Sequence, residues 1–153
     1  MRVISKCIVL KYWENIEMED IKHNDGFIIP NGIKILVAED EDSNFRYIEK
    51  LLSKAGFEIL RANNGYEAVE YARIYDDIDL ILMDIKMPVK NGVEATREIK
   101  LFKPRIPIIA TTAFAIPGDR DVFLKAGCDD YIPKPIKSSA LIDLVEKYVK
   151  KPD

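Results

Sequence analysis

The sequence predicts an α/β fold, a three-layer α/β/α sandwich with helices on both faces of a five-stranded parallel sheet. Three observations carry that reading. From Ile33 onward, short apolar runs alternate with longer stretches of helical spacing. The runs are continuously apolar rather than apolar at every second position, as in strands covered on both faces. They also end on polar residues: Ile35-Leu36-Val37-Ala38 before Glu39-Asp40, Leu80-Ile81-Leu82-Met83 before Asp84, Ile106 to Ala110 before Thr111-Thr112, and Asp130-Tyr131-Ile132-Pro133 before Lys134.

The elements follow in order. Ile33 to Ala38 is short, apolar and flanked by Gly32 and Glu39, which predicts a buried strand. Ser43 is expected to cap the next helix, with Phe45, Ile48, Leu51, Leu52 and Ala55 at helical spacing and Gly56 as its stop. Phe57 to Ala62 is a second strand and Asn63-Asn64-Gly65 a turn; Tyr66 to Tyr75 is helical through Ala68, Val69, Ala72 and Ile74. Asp79 to Met83 is the third strand. Gly92 to Phe102 is a helix with Val93, Ala95, Thr96 and Ile99 inward and Pro104 beyond its end. Ile106 to Ala110 is the fourth strand, Pro117 to Ala126 a helix stopped by Gly127, and Asp130 to Pro133 a short fifth strand. Ser138 to Lys150 closes the series as an amphipathic helix with Leu141, Leu144, Val145 and Tyr148 inward. Composition shifts near Pro30-Asn31-Gly32, so the domain proper is expected at 33–150, with residues 1–32 an extension or linker to which no chemistry is assigned.

Composition excludes several classes. With 153 residues the chain suits one domain, and a net charge of -3 gives no general attraction to nucleic acid or to anionic membranes. No segment approaches the roughly 18–20 apolar residues that span a bilayer. Lys6 interrupts the apolar N-terminus and no small-residue cleavage site follows it, so a cytoplasmic location is expected. Cys7 and Cys128 are far apart without metal-ligand spacing and read as free thiols. His23, the only histidine, sits among turn formers and reads as a solvated loop residue.

In an open parallel sheet, ligands bind at the carboxyl ends of the strands. Glu39, Asp40, Asp84, Thr112 and Lys134 are therefore expected to meet on one edge. Three carboxylates together repel one another unless a cation intervenes, and Mg²⁺, which takes oxygen ligands and keeps waters that a phosphate can replace, suits them. Asp84 can then act as a nucleophile towards phosphorus. Lys134 would supply a point positive charge to a phosphoryl oxygen and Thr112 a hydroxyl hydrogen bond. Lys134 precedes Pro135, a position where a cis peptide is affordable.

These motifs resemble the receiver domain of two-component response regulators, over about Ile33 to Lys150. The matching residues are Glu39-Asp40, Asp84 with Met87-Pro88 and Gly92 behind it, Thr112-Ala113, and Tyr131-Ile132-Pro133-Lys134-Pro135. The resemblance implies a flavodoxin-like sheet of strand order 2-1-3-4-5 and phosphorylation of Asp84 by a histidine kinase or histidine phosphotransfer protein. It further implies Mg²⁺ held directly by Asp40, Asp84 and the backbone carbonyl of Lys86, with Glu39 acting mostly through water. It implies a switch in which Thr112 and Tyr131 move on phosphorylation and alter the face formed by the fourth helix, fifth strand and fifth helix.

Simpler readings compete at each position: Asp84 as a strand-end turn former, Glu39-Asp40 as helix-favouring charges, Tyr131 as a packed aromatic. The competing enzyme class, a haloacid-dehalogenase-like phosphohydrolase, needs a second aspartate two residues after its nucleophile, where this chain has Lys86, so no enzyme is expected. A degenerate receiver that binds without being phosphorylated is the other alternative. A flavodoxin-like cofactor binder would need a Ser/Thr/Gly-rich loop after the first strand, which is missing. Bulky Phe114, two after Thr112, is expected to hinder water and lengthen the phosphorylated state. No effector motif follows Lys150, so a stand-alone receiver or the receiver of a hybrid sensor kinase is expected, with Lys134-Pro135-Ile136 favouring the hybrid type.

Overall fold

Short β-branched and leucine runs separated by capped helices give the computed structural model its alternating order, described for residues 32–113 and 116–149. The strands are β1 (Lys34–Ala38), β2 (Glu58–Ala62), β3 (Ile78–Asp84), β4 (Ile108–Thr112) and β5 (Asp130–Pro133). Between and after them lie α1 (Asp42–Lys54), α2 (Gly65–Ile74), α3 (Gly92–Phe102), α4 (Asp119–Ala126) and α5 (Ser138–Val149). All pairings are parallel and the order is β2-β1-β3-β4-β5. Residues 1–31 of the expected extension, with Cys7 and His23, lie outside the described residues, as does Phe114.

Strand alternation divides the core into two layers. Leu36, Ala38, Ile81, Met83, Ile108 and Ala110 face α2, α3 and α4, packing with Ala68, Val69, Ile99 and Phe123. Ile35, Val37, Leu80, Leu82 and Ile109 face α1 and α5, packing with Phe45, Ile48, Leu52, Leu141 and Val145. This is why the central strands read as apolar runs: both faces of β1, β3 and β4 are covered by helices. Truncating one of these buried side chains, such as Leu82, is worth about 2–5 kcal/mol. Cys128 is a buried free thiol, and no helix among the described residues is long and apolar enough to cross a membrane.

Most boundaries shift by one residue from the sequence expectation, and three differences have a clear physical cause. Glu41, not Ser43, is the N-cap of α1, because Phe45 N donates to Glu41 O at 2.9 Å and Ser43 already lies inside the first turn. β4 runs Ile108–Thr112 rather than from Ile106. Pro107 has no N–H to give a ladder, although its carbonyl accepts from Ile81 N at 2.9 Å. The fourth helix begins at Asp119 instead of Pro117, behind Gly118 at φ 104°, a left-handed conformation that glycine adopts without a Cβ penalty.

Candidate functional site

The carboxyl ends of the strands carry the site. Glu39 follows β1, Asp84 is the last residue of β3, Thr112 the last of β4, and Lys134 follows β5. The last ladder bond of β1 is Glu39 N to Ala62 O at 3.0 Å, so the chain leaves the sheet as the acidic pair begins. On the β3 side, Ile85 N donates to Thr111 O at 3.1 Å and fixes the exit of Asp84.

The loop behind Asp84 is held by two close approaches. Asn91 caps α3, its Oδ1 accepting from Glu94 N at 2.9 Å, and Gly92 N donates to Ile85 O at 2.9 Å. A Cβ on Gly92 would lie 2.2 Å from Asp84 O, a backbone atom that cannot swing aside. Alanine is favoured over glycine in a helix by about 1 kcal/mol. The clash outweighs that gain, and Gly92→Ala is expected to lower stability by about 2 kcal/mol and to displace the Asp84 loop. Urea unfolding checks this; a variant as stable as wild type would show that the start of α3 is free to move away.

Glu39, Asp40 and Asp84 each offer a carboxylate oxygen, all within 4.8 Å of one another. Glu39 and Asp84 are buried and Asp40 is exposed. Lys134 Nζ lies 2.8 Å from Glu39 Oε2 and 3.3 Å from Asp84 Oδ2, joining elements 95 positions apart. Glu39 Oε1 accepts from Glu41 N at 3.1 Å, and Asp84 Oδ1 from Lys86 N at 3.3 Å. A cleft of about 630 Å³ opens beside the cluster, with Asp40, Lys86, Met87 and Asn91 in its wall.

The charges are unbalanced: three carboxylates face one ammonium. Burial, and next the charge of Glu39, push the Asp84 carboxyl up to about 6, against the opposing pull of Lys134 and the Lys86 amide. For Lys134, burial works against the charged form, but its bond to Glu39 and the charge of Asp84 outweigh it and hold the ammonium above its usual range. Such a site keeps a carboxylate poised as a nucleophile and retains room and negative charge for a hard cation.

Thr112 is buried, and its carbonyl accepts from Lys134 N at 2.7 Å, so the β4 end and the lysine are tied together. The Lys134–Pro135 peptide is cis. Tyr131 stands apart from the carboxylates. It pairs with Ala110 across β4 and β5, packs against the layer of α2, α3 and α4, and its ring centroid is 6.3 Å from that of Phe123. A smaller cavity of about 340 Å³ borders Tyr131, Phe123 and Ile116.

The sequence expectation missed Arg61 of β2, whose guanidinium reaches the backbone of Glu39 and Asp40. The one available signal was an arginine inside the strand, after Ile59 and Leu60 and before Ala62. It also placed Lys134 on a phosphoryl oxygen without anticipating its partners Glu39 and Asp84.

The response regulator receiver domain model matches residues 35–146. The chain is 40% identical over 126 residues to hybrid signal transduction histidine kinase I of Dictyostelium discoideum, covering 77% of this chain and 7% of that protein. It is 38% identical over 117 residues to the polar-differentiation response regulator DivK of Brucella anthropi, covering 75% of this chain and 94% of that protein. It thus spans a small part of the first relative's length and nearly all of the second's. Among solved structures, it is similar to the receiver domain of sensor histidine kinase PA1611 from Pseudomonas aeruginosa PAO1, which has a magnesium ion coordinated in its active-site cleft. That match has a TM-score of 0.73 and 38% identity over 78% of this chain and 99% of the other. The receiver domain of Ssk1 from Saccharomyces cerevisiae, solved with the histidine phosphotransfer protein Ypd1, matches with a TM-score of 0.75 and 29% identity over 81% of this chain and 92% of the other.

Proposed function

The chain belongs to the response regulator receiver domain family, the phosphoacceptor modules of two-component phosphorelays, and from that premise we propose that Asp84 is its phosphoacceptor. One observation carries the assignment. Asp84 is a buried carboxylate at the end of β3, in a cluster that also holds Glu39 and Asp40, and Lys134 bridges Glu39 and Asp84.

An oxygen of Asp84 attacks the phosphorus of a phosphohistidine, the P–N bond breaks, and the imidazole leaves. Burial keeps Asp84 desolvated, and the Lys86 amide fixes one of its oxygens at 3.3 Å. Lys134 would exchange part of its contact with Asp84 for a phosphoryl oxygen, and the Thr112 hydroxyl would donate to another. Hard oxygen donors with uncompensated negative charge fit Mg²⁺. Asp40, Asp84 and the Lys86 carbonyl would hold it directly and Glu39 through water. Mg²⁺ would supply neutralisation of the charge on the transferring phosphoryl group.

Tyr131 is assigned to the switch together with Thr112. Both fall on the same side of the sheet by strand alternation, and Tyr131 borders a cavity that leaves its ring room to turn. The output face is then α4, β5 and α5, in a two-state equilibrium biased by the new charge. The donor is a histidine kinase or a histidine phosphotransfer protein, and the chain works as a cytoplasmic signalling module without turnover of its own, Lys86 standing where a phosphohydrolase would need its acid. The receiver domain is assigned to 33–150, with 1–32 an extension.

The test is a Mg²⁺ titration followed by thermal unfolding. Wild type should gain stability with rising Mg²⁺, as a ligand bound only by the folded state requires. Asp40→Asn and Asp84→Asn should each need at least about tenfold more Mg²⁺ for the same gain. Equal responses from all three would remove the cluster from consideration as the metal site.

A further inference from the structure

Between the last sheet bond of β1 and the first bond of α1, the chain passes through two peptide groups that belong to neither element. The sheet ends with Glu39 N on Ala62 O, and the helix begins with Phe45 N on Glu41 O. The carbonyls of Glu39 and Asp40 lie between, and neither has a backbone donor among the described residues. Arg61 supplies the donors. Its Nε and Nη2 lie 3.3 Å from Glu39 O, and Nη2 lies 3.4 Å from Asp40 O.

The guanidinium is itself fixed from two further sides. Its Nη1 pairs with Asp42 Oδ1 at 2.7 Å, and its Cζ sits 4.5 Å from the centroid of the Phe45 ring, which is buried in the α1 layer. The strand places Arg61 beside Val37, on the same face as Phe45, so β2 aims the side chain under the turn. A planar fork with several donors can hold two consecutive carbonyls and a carboxylate at once, which a lysine ammonium on a flexible stem does not do in the same geometry.

We infer that Arg61 is a positioning residue for the acidic pair, fixing the two peptide groups that aim Glu39 and Asp40 so that their carboxylates converge with Asp84. Asp40 needs this most. Its carboxylate is exposed, and Glu39 has Lys134 and the Glu41 amide to hold its side chain. This rests on the assignment of the cluster as a Mg²⁺ site. Two effects of Arg61 on that site have opposite signs. As a positive charge it weakens cation binding, so its neutralisation would tighten Mg²⁺; as a clamp it strengthens binding, so its loss would weaken it.

The experiment is Mg²⁺ binding by isothermal titration calorimetry on the full chain, for wild type, Arg61→Gln, Arg61→Lys, Asp84→Asn and Arg73→Gln. Arg73 is the control, an arginine stacked 4.3 Å over Phe102 and outside the cluster. The clamp predicts a Kd about tenfold higher in both Arg61 variants, with Arg73→Gln unchanged. It also predicts that phosphorylation of the Arg61 variants recovers at saturating Mg²⁺. Arg61→Lys keeps the charge and most of the stem, so it isolates the fork should Arg61→Gln unfold. A tighter Kd in Arg61→Gln, or a lowered Tm with an unchanged Kd in Arg61→Lys, overturns the inference while wild type and Asp84→Asn still differ. Absence of Mg²⁺ binding by wild type would overturn the metal-site reading and this inference with it.

Discussion

Asp84→Asn is expected to accept no phosphoryl group and, without metal, to be more stable than the wild type. The gain follows from the raised carboxyl, about 6 in the folded protein against about 3.9 in an unfolded chain. Burial and Glu39 both disfavour its ionised form, so the folded protein holds a proton that the unfolded chain releases. The contribution of Asp84 to stability is therefore fullest below about pH 4 and is lost as pH rises through about 6. Asparagine, which cannot ionise, removes that loss; the value of about 6 already sets the pull of Lys134 against burial and Glu39, so the gain is about 3 kcal/mol at pH 7.5. Urea unfolding of both proteins at pH 7.5, 6 and 4.5 measures it. The difference should shrink as pH falls; a constant difference, or a less stable variant at pH 7.5, would mean that Asp84 is comfortably ionised in the resting site.

Lys134→Ala is expected to have the opposite effect. It leaves the buried carboxylates of Glu39 and Asp84 facing each other with no positive charge between them. Breaking a buried ionic cluster by removing one partner costs about 3 kcal/mol or more, and the Asp84 carboxyl should rise further. Lys134→Met, which keeps the stem, should lose nearly as much, showing that charge rather than packing is responsible. Saturating Mg²⁺ should restore part of the stability, since a cation can take over the neutralisation. Phosphorylation should remain slow even so, by about 100-fold, the typical effect of deleting one preorganised group that stabilises developing charge. Full phosphorylation in Lys134→Ala would remove the lysine from the phosphoryl site.

What could be read from sequence was whatever the core dictates. Leu80-Ile81-Leu82-Met83 had to be a covered strand, and a carboxylate after such a run had to emerge at the sheet edge; the same logic located Glu39, Asp40 and Lys134. What escaped depended on where the backbone turns. The α1 cap fell on Glu41 because the helix starts two residues earlier than Ser43 suggests. Pro107 moved the start of β4 to Ile108, while pairing with Asp84, Ile132 and Pro133 extends its end through Thr111 and Thr112. Arg61 escaped because a side chain's reach to two carbonyls on a neighbouring loop leaves no periodic trace. The Lys134 partners escaped because a resting site must neutralise its carboxylates, a need that is seen only once Glu39 and Asp84 are known to be buried.

The most direct measurement is intact mass after incubation with Mg²⁺ and acetyl phosphate or phosphoramidate, with Asp84→Asn alongside. A single labile phosphoryl adduct on the wild type, absent from Asp84→Asn and abolished by EDTA, is the predicted result. An adduct that persists in Asp84→Asn, or none on folded wild-type protein from these small donors or from a phosphohistidine protein, would contradict the assignment of Asp84 as the acceptor.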